Sequence, residues 1–291
     1  MRVGLQINRF DYPGGTDKIG ANLKEIVQSA EAAGIYSIWV MDHFFQLPGI
    51  GEYTEPMMEA YTTLGFIAGN TSKVKLGTLV TGVIYREPAV LINAVTALDV
   101  VSSGRAYFGI GAGWNEQEAL ALGLLNPLQS KRFDRLEDTL KLVHQMWKGD
   151  ASEFKGKIYQ LPEPYLSPRP VTKPHPPILI GGGGEQKTLR YVAQYGDACN
   201  LFAADIDALV HKLDVLKSYC EEIKRPFSEI EKTSLLRLDS TSIANNPSLL
   251  IDEATKLRNV GIDHVIIMAN KDANPESYQA MSSAVASIAK L

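Results

Sequence analysis

One pattern constrains this chain more than any other. Eight times, a short strand-like run is followed by a stretch with apolar residues at helical spacing. The runs are Val3–Ile7, Ser37–Met41, Lys75–Val80, Ala106–Ile110, Ile178–Ile180, Ala198–Leu201, Thr233–Leu238 and His264–Met268. Between the first two, Leu23, Ile26, Val27 and Ala30 share one helix face, which Gly34 ends. Pro88 suits a first helical position, and Ser103-Gly104 closes that helix. Further on, Leu209, Leu213, Leu216, Cys220 and Ile223 form a clean stripe. Strict strand–helix alternation requires a parallel sheet, because each helix must carry the chain back to the start of the next strand. Eight such units are the number that closes into a (β/α)8 TIM barrel of the α/β class. A doubly wound open sheet is the alternative, although it usually has fewer units.

Residues 1–291 therefore read as a single barrel domain. Two segments break the rhythm: Asp42–Glu59, and the proline-rich stretch 149–177 with a possible hairpin around Gly156. The second reads as an insertion. Long segments without periodicity in a compact domain are usually functional. Both are expected at the C-terminal face as walls of a substrate cavity, with Tyr53, Glu55 and Met57 reaching inward from the first.

Charge and composition exclude several functions. With 29 basic against 33 acidic residues, the formal charge is 29 − 33 = −4 and offers nucleic acid no basic patch. No apolar stretch approaches the ~20 residues of a membrane span, and the first residues lack a signal-peptide core. Cys199 and Cys220 suit a reducing compartment, so a cytoplasmic location is expected. The five histidines show no metal-ligand spacing, no metal is expected, and no Gly-x-Ser-x-Gly elbow is present.

In such a barrel, function gathers at the C-terminal ends of the strands. Gly181, Gly182, Gly183 and Gly184 follow the fifth strand. Their exposed N–H groups and the start of the next helix favour a phosphate, with a flexible turn as the plain alternative. After the fourth strand, Gly111, Ala112, Gly113, Trp114 and Asn115 leave room for a flat ligand. Asp42-His43 after the second strand offers an acceptor and an imidazole for proton transfer. Thr81 follows the third strand and Asn200 the sixth, where Cys199 reads as a small buried residue.

Several of these segments together resemble the bacterial-luciferase-like family, especially its coenzyme F420-dependent oxidoreductase branch. They are Ser37-Ile38-Trp39-Val40-Met41-Asp42-His43-Phe44, the runs from Leu76 to Val83 and Leu98 to Arg105, and Gly109-Ile110-Gly111-Ala112-Gly113-Trp114-Asn115-Glu116. Arg132-Phe133 with Leu136-Glu137, and Pro177 to Gly183, complete the set. The resemblance implies a barrel with a deazaflavin, or alternatively FMN, in its mouth. It implies a non-prolyl cis peptide at Leu79-Val80 behind the ring, and a homodimer.

Cofactor contacts are thus expected from Asp42, His43, Leu79, Val80, Thr81, Gly111, Ala112, Gly113, Trp114, Asn115, Gly181, Gly182, Gly183, Gly184 and Asn200. The catalytic candidates are His43 as proton carrier, Asp42 as its hydrogen-bond partner and Trp114 as a pocket wall. The sugar-phosphate dehydrogenases of the branch carry an acid where Trp114 stands, which disfavours glucose-6-phosphate. Arg105 and Glu137 match positions that read as structural. The expected activity is hydride transfer between carbon five of F420 and a small organic substrate. An FMN-dependent monooxygenase is the alternative, and a non-catalytic cofactor-binding protein is the reading from another class.

Overall fold

The computed structural model describes residues 1–124, 129–202, 204–269 and 274–291. Its strands are β1 (Arg2–Ile7), β2 (Ser37–Val40), β3 (Lys75–Thr78), β4 (Phe108–Gly111), β5 (Ile178–Gly181), β6 (Ala198–Phe202), β7 (Glu231–Asp239) and β8 (His264–Met268). All the neighbouring pairs are parallel, in the order β3-β2-β1-β8-β7-β6-β5-β4. The ring closes through a continuation of β3, Thr81–Gly82, which pairs with Ile110 and Gly111 of β4. A bridge from Leu76 to Ala106 joins the same two strands lower down. The third strand was expected to run unbroken to Val80. It breaks after Thr78, and the Leu79–Val80 peptide in the gap is cis.

The helices that position the mouth are α1 (Ile19–Ala32), α2 (Ala60–Asn70), α3 (Pro88–Val101), α4 (Glu116–Ala121), α5 (Gln129–Lys148) and α6 (Arg190–Tyr195). α7 (Ile206–Glu222), α8 (Ser240–Asn245), α9 (Ser248–Asn259) and α10 (Pro275–Ile288) complete the outer layer. The stripes read from the sequence face the sheet: Leu23, Ile26, Val27 and Ala30 of α1 are buried, as are Leu209, Leu213, Leu216 and Cys220 of α7, whereas Ile223, the last residue read into that stripe, follows the helix and is exposed.

Inside the barrel, Trp39, Tyr107, Leu179, Ala198 and Ile266 form their own buried cluster, against which Leu79, Val80 and Leu235 pack. Beneath it lies a polar floor. His264 is fully buried between Ser37 Oγ and Glu231 Oε1, each at 3.0 Å, and Trp39 Nε1 donates to the same Ser37 oxygen at 2.7 Å. The Ser37, Trp39 and His264 side chains are thus paired with one another and with Glu231, as burial demands.

The segment 149–177 is not at the C-terminal face, contrary to expectation. It leads from a helix into a strand, and such connections lie at the opposite end of the barrel from those that lead out of strands. Its hairpin, Phe154–Lys155 with Gln160–Leu161, is tied to α5 through Asp138, which accepts the N–H groups of Lys157, Ile158 and Tyr159 at 3.0, 2.7 and 3.1 Å. Thr172 then donates its N–H and hydroxyl to Asp99 of α3 at 2.9 and 2.7 Å.

Candidate active site

A cavity of about 870 Å³ opens at the C-terminal ends of the strands. Each of the eight strands, or the residues directly after it, contributes to its wall, from Gln6 in β1 and Met41 after β2 to Met268 at the end of β8. The outer rim comes from Leu47, Pro48, Gly49 and Ile50, in the segment between β2 and α2. Arg9, after β1, anchors this rim by donating to the Ile50 carbonyl and pairing with Glu55 at 2.7 Å. Tyr53, Glu55 and Met57 do not reach the cavity. Tyr53 stacks on Phe45 with centroids 4.8 Å apart, Glu55 is held by Arg9, and Met57 packs on the core. No residue of 149–177 lines the cavity either.

His43 lies on the wall, and its partner is not Asp42. Its Nδ1 is 2.7 Å from Oε2 of Glu118, whose side chain is fully buried on α4. The other carboxylate oxygen of Glu118 accepts the N–H groups of Phe44 and Phe45 at 2.6 and 3.0 Å, and Tyr85 OH donates to Oε2. Burial by itself would raise the Glu118 carboxyl, but the hydrogen bonds from His43, Tyr85 and the Phe45 N–H hold it below the usual range. An ionised carboxylate only accepts, so Nδ1 carries the proton, and Nε2, with no hydrogen-bond partner among the described residues, is the second nitrogen of a side chain on the cavity wall. Trp114, 64% exposed, meets the His43 ring edge-on at 5.8 Å between centroids.

Asp42 points the other way, into the protein. Arg86 binds it through two hydrogen bonds of 2.6 and 3.0 Å and also reaches Glu59 on the far side. Burial opposes the Arg86 charge, yet Asp42 and Glu59 outweigh it and push the guanidinium pKa up. Neighbouring side chains on extended backbone diverge, which is why Asp42 and His43 part. Asp42 therefore ties the end of β2 to the loop before α3 and does not touch the cavity.

The glycines have two jobs. A Cβ on Gly111 or Gly181 would come within 2.9 or 2.8 Å of the Val80 side chain, so both positions make room for the Leu79–Val80 shoulder. Gly82, Gly113 and Gly182 also line the cavity, and Gly182 has φ 116°, which favours glycine. Gly183 and Gly184 lie off the wall. The Gly183 carbonyl accepts a 2.7 Å hydrogen bond from Lys212, and the helix after Gly184 begins with a π turn, Glu185–Leu189. On the facing side Arg132 donates to the Gly113 carbonyl, while its buried Nε has no hydrogen-bond partner.

Of the expected contacts, His43, Leu79, Val80, Gly111, Ala112, Gly113, Trp114, Gly181, Gly182 and Asn200 line the cavity. Asp42, Thr81, Asn115, Gly183 and Gly184 do not. Thr81 is spent on Thr78 Oγ1 at 3.0 Å and Tyr61 OH at 2.9 Å, and Asn115 caps α4 by accepting the Glu118 N–H at 3.2 Å. Glu118, Tyr85, Arg86 and Arg132 were not singled out as site residues. Cys199 is fully buried, and burial pushes its thiol up to about 12, so it packs rather than reacts.

The chain is similar to known proteins along nearly its whole length. The family model described as luciferase-like monooxygenase matches residues 3–286. The F420-dependent glucose-6-phosphate dehydrogenase of Amycolatopsis mediterranei (strain U-32) is 31% identical over 191 residues, covering 65% of this chain and 56% of that protein. Pyrimidine monooxygenase RutA of Allorhizobium ampelinum is 30% identical over 176 residues, covering 60% of this chain and 47% of the relative. The match thus spans about half the length of these relatives. Among solved structures, an F420-dependent secondary alcohol dehydrogenase in complex with an F420-acetone adduct superposes with a TM-score of 0.81 at 18% identity, over 99% of both chains. At that identity the likeness shows the barrel fold alone.

Proposed function

We propose that this chain, which belongs to the luciferase-like monooxygenase family, is an oxidoreductase that uses coenzyme F420 to move a hydride to or from a small organic substrate. The observation that carries the reading is a glycine-lined cavity at the strand ends, with an imidazole on its wall whose free nitrogen is set by a buried carboxylate. Relatives named for F420 support this cofactor over FMN. The relative named as a pyrimidine monooxygenase keeps an FMN-dependent monooxygenase as the second reading.

The residues present suit a flat ring with a phosphorylated tail. The ring would be held against Leu79–Val80 and the Gly111–Gly113 strand end. Gly181 and Gly182, with Thr188 and the half-satisfied Arg132, would take the phosphate. When bound, the deazaflavin exchanges a hydride at its carbon five, and the protein supplies orientation, shelter from water and a proton path. His43 Nε2 accepts or returns the substrate proton, while Glu118 stabilises the imidazolium and fixes its tautomer. Trp114 and Leu47–Ile50 line the cavity beside His43. Trp114 stands where the sugar-phosphate branch of the family carries an acid, so sugar-phosphate oxidation is not part of the proposal. Among the described residues no helix is long and apolar enough to cross a membrane. A homodimer and a cytoplasmic location belong to the same proposal, the former supported by exposed Phe66 on α2 and Val90 and Val101 on α3.

Fluorescence titration of the purified chain with F420 and with FMN tests the cofactor. Saturable F420 binding is expected, and FMN binding without any F420 binding would reverse the choice. Gly182→Val should weaken F420 at least tenfold, because a β-branched residue is strained at φ 116° and pushes the backbone off the phosphate. The added Cβ has Thr188 at 3.6 Å as its nearest neighbour, so the variant has room to fold. Unchanged affinity in a folded variant would remove this loop from the cofactor site.

A further inference from the structure

Among the described residues the formal charge on the cavity wall is all positive: Arg132 and Arg237 lie on it, and no aspartate or glutamate does. The two arginines differ in their surroundings. Arg132 is occupied with the Gly113 carbonyl on the β4 side. Arg237 stands on β7, is exposed, and has no ion-pair or hydrogen-bond partner among the described residues.

Its position is across the mouth from the shoulder that would back the ring. Around the barrel, β7 is four strands from β3 in either direction (through β2, β1 and β8, or through β4, β5 and β6). The register of β7 with β8 shifts between Leu235 and Asp239, yet Arg237 and Leu235, two residues earlier, both line the cavity, and Leu235 pairs in register with Phe202 of β6. Leu235, Phe202 and Met268 all line the cavity there. One guanidinium with no acidic partner among the described residues thus tops an apolar wall on the side left for the substrate. A neutral molecule in that space gains apolar contact and leaves the cation to water. An anionic group gains a charge-assisted, two-pronged hydrogen bond beside a partly dry wall.

We infer that the substrate class is an apolar molecule bearing one anionic group, in the simplest case a carboxylate, read by Arg237. The inference rests on the proposed reading of the cavity as a joint cofactor and substrate site. Coenzyme F420 carries carboxylates of its own, so the test separates the two sources.

Octanoate and octan-1-ol are titrated calorimetrically into the purified chain, with and without saturating F420, for the wild type, Arg237→Gln and Arg237→Lys. Octanoate should bind at least tenfold more tightly than octanol. Arg237→Gln should abolish that preference, Arg237→Lys should keep most of it, and F420 affinity should stay within twofold throughout. Equal binding of the two probes, no octanoate binding, or a preference that survives Arg237→Gln overturns the inference. A fall in F420 affinity with Arg237→Gln gives the arginine to the cofactor and overturns it as well. A preference dependent on Arg237 in a chain that binds no F420 sustains the anion site and sinks the cofactor reading instead.

Discussion

Replacing His43 with alanine should lower turnover roughly 10²-fold or more and leave cofactor affinity within a few-fold. The side chain is on the cavity wall, and Nδ1 is committed to Glu118, so the imidazole has one nitrogen to offer and one orientation in which to offer it. Glu118→Gln provides a second reading of the same arrangement. The amide keeps an oxygen for the Phe44 and Phe45 N–H groups, but it presents an NH2 to Nδ1 and so drives the proton to Nε2. That is the wrong tautomer for accepting a substrate proton, and a loss of at least tenfold in kcat is expected with KM little changed. A purely structural Glu118 would instead lower thermal stability and leave kcat alone. If His43→Ala weakens cofactor binding while turnover at saturation persists, the imidazole positions the ring and the proton travels another way.

The barrel was legible because its signal is local. Eight strands and the stripes on α1 and α7 follow from the spacing of apolar residues, which burial against a sheet imposes directly. The ends of the strands followed from the fold, and they brought His43, Gly111 and Gly182 to one cavity. What was not legible is pairing at a distance. Glu118 is 75 residues from His43, and its sequence setting, Asn115 three residues before it, reads as a local helix cap. Arg86 is 44 residues from Asp42, with nothing local to mark the bond. The misplacement of 149–177 had a readable remedy, since the segment follows a helix and precedes a strand. Topology alone sends it away from the mouth, whereas its length and lack of periodicity had argued for function.

Gly109→Ala should destabilise the fold by more than ~3 kcal/mol, seen as a fall in Tm of roughly 5–10 °C or as failure to accumulate folded protein. A Cβ built on Gly109 would sit 1.7 Å from the Thr78 carbonyl oxygen and 2.9 Å from its carbon. Both belong to backbone, so no side-chain rotation relieves the overlap, and the strands themselves must separate. The same two residues are already joined by the 2.8 Å hydrogen bond from Thr78 Oγ1 to the Gly109 carbonyl, which a separation would stretch. Thr78 also accepts the Thr81 N–H and hydroxyl, at 3.2 and 3.0 Å, across the break in the third strand. A shift of Thr78 therefore moves Leu79 and Val80, and Val80 rests in the space left by Gly111 and Gly181. Gly65→Ala is the matched comparison, in the middle of α2 with nothing within 4 Å of the added carbon. It should gain about 0.5–1 kcal/mol from helix propensity and reduced freedom of the unfolded chain. A Gly109→Ala protein that melts with the wild type would show that β3 and β4 can part without cost. The tight contact behind the cavity would then have no structural weight, and the glycine at 109 would need another explanation.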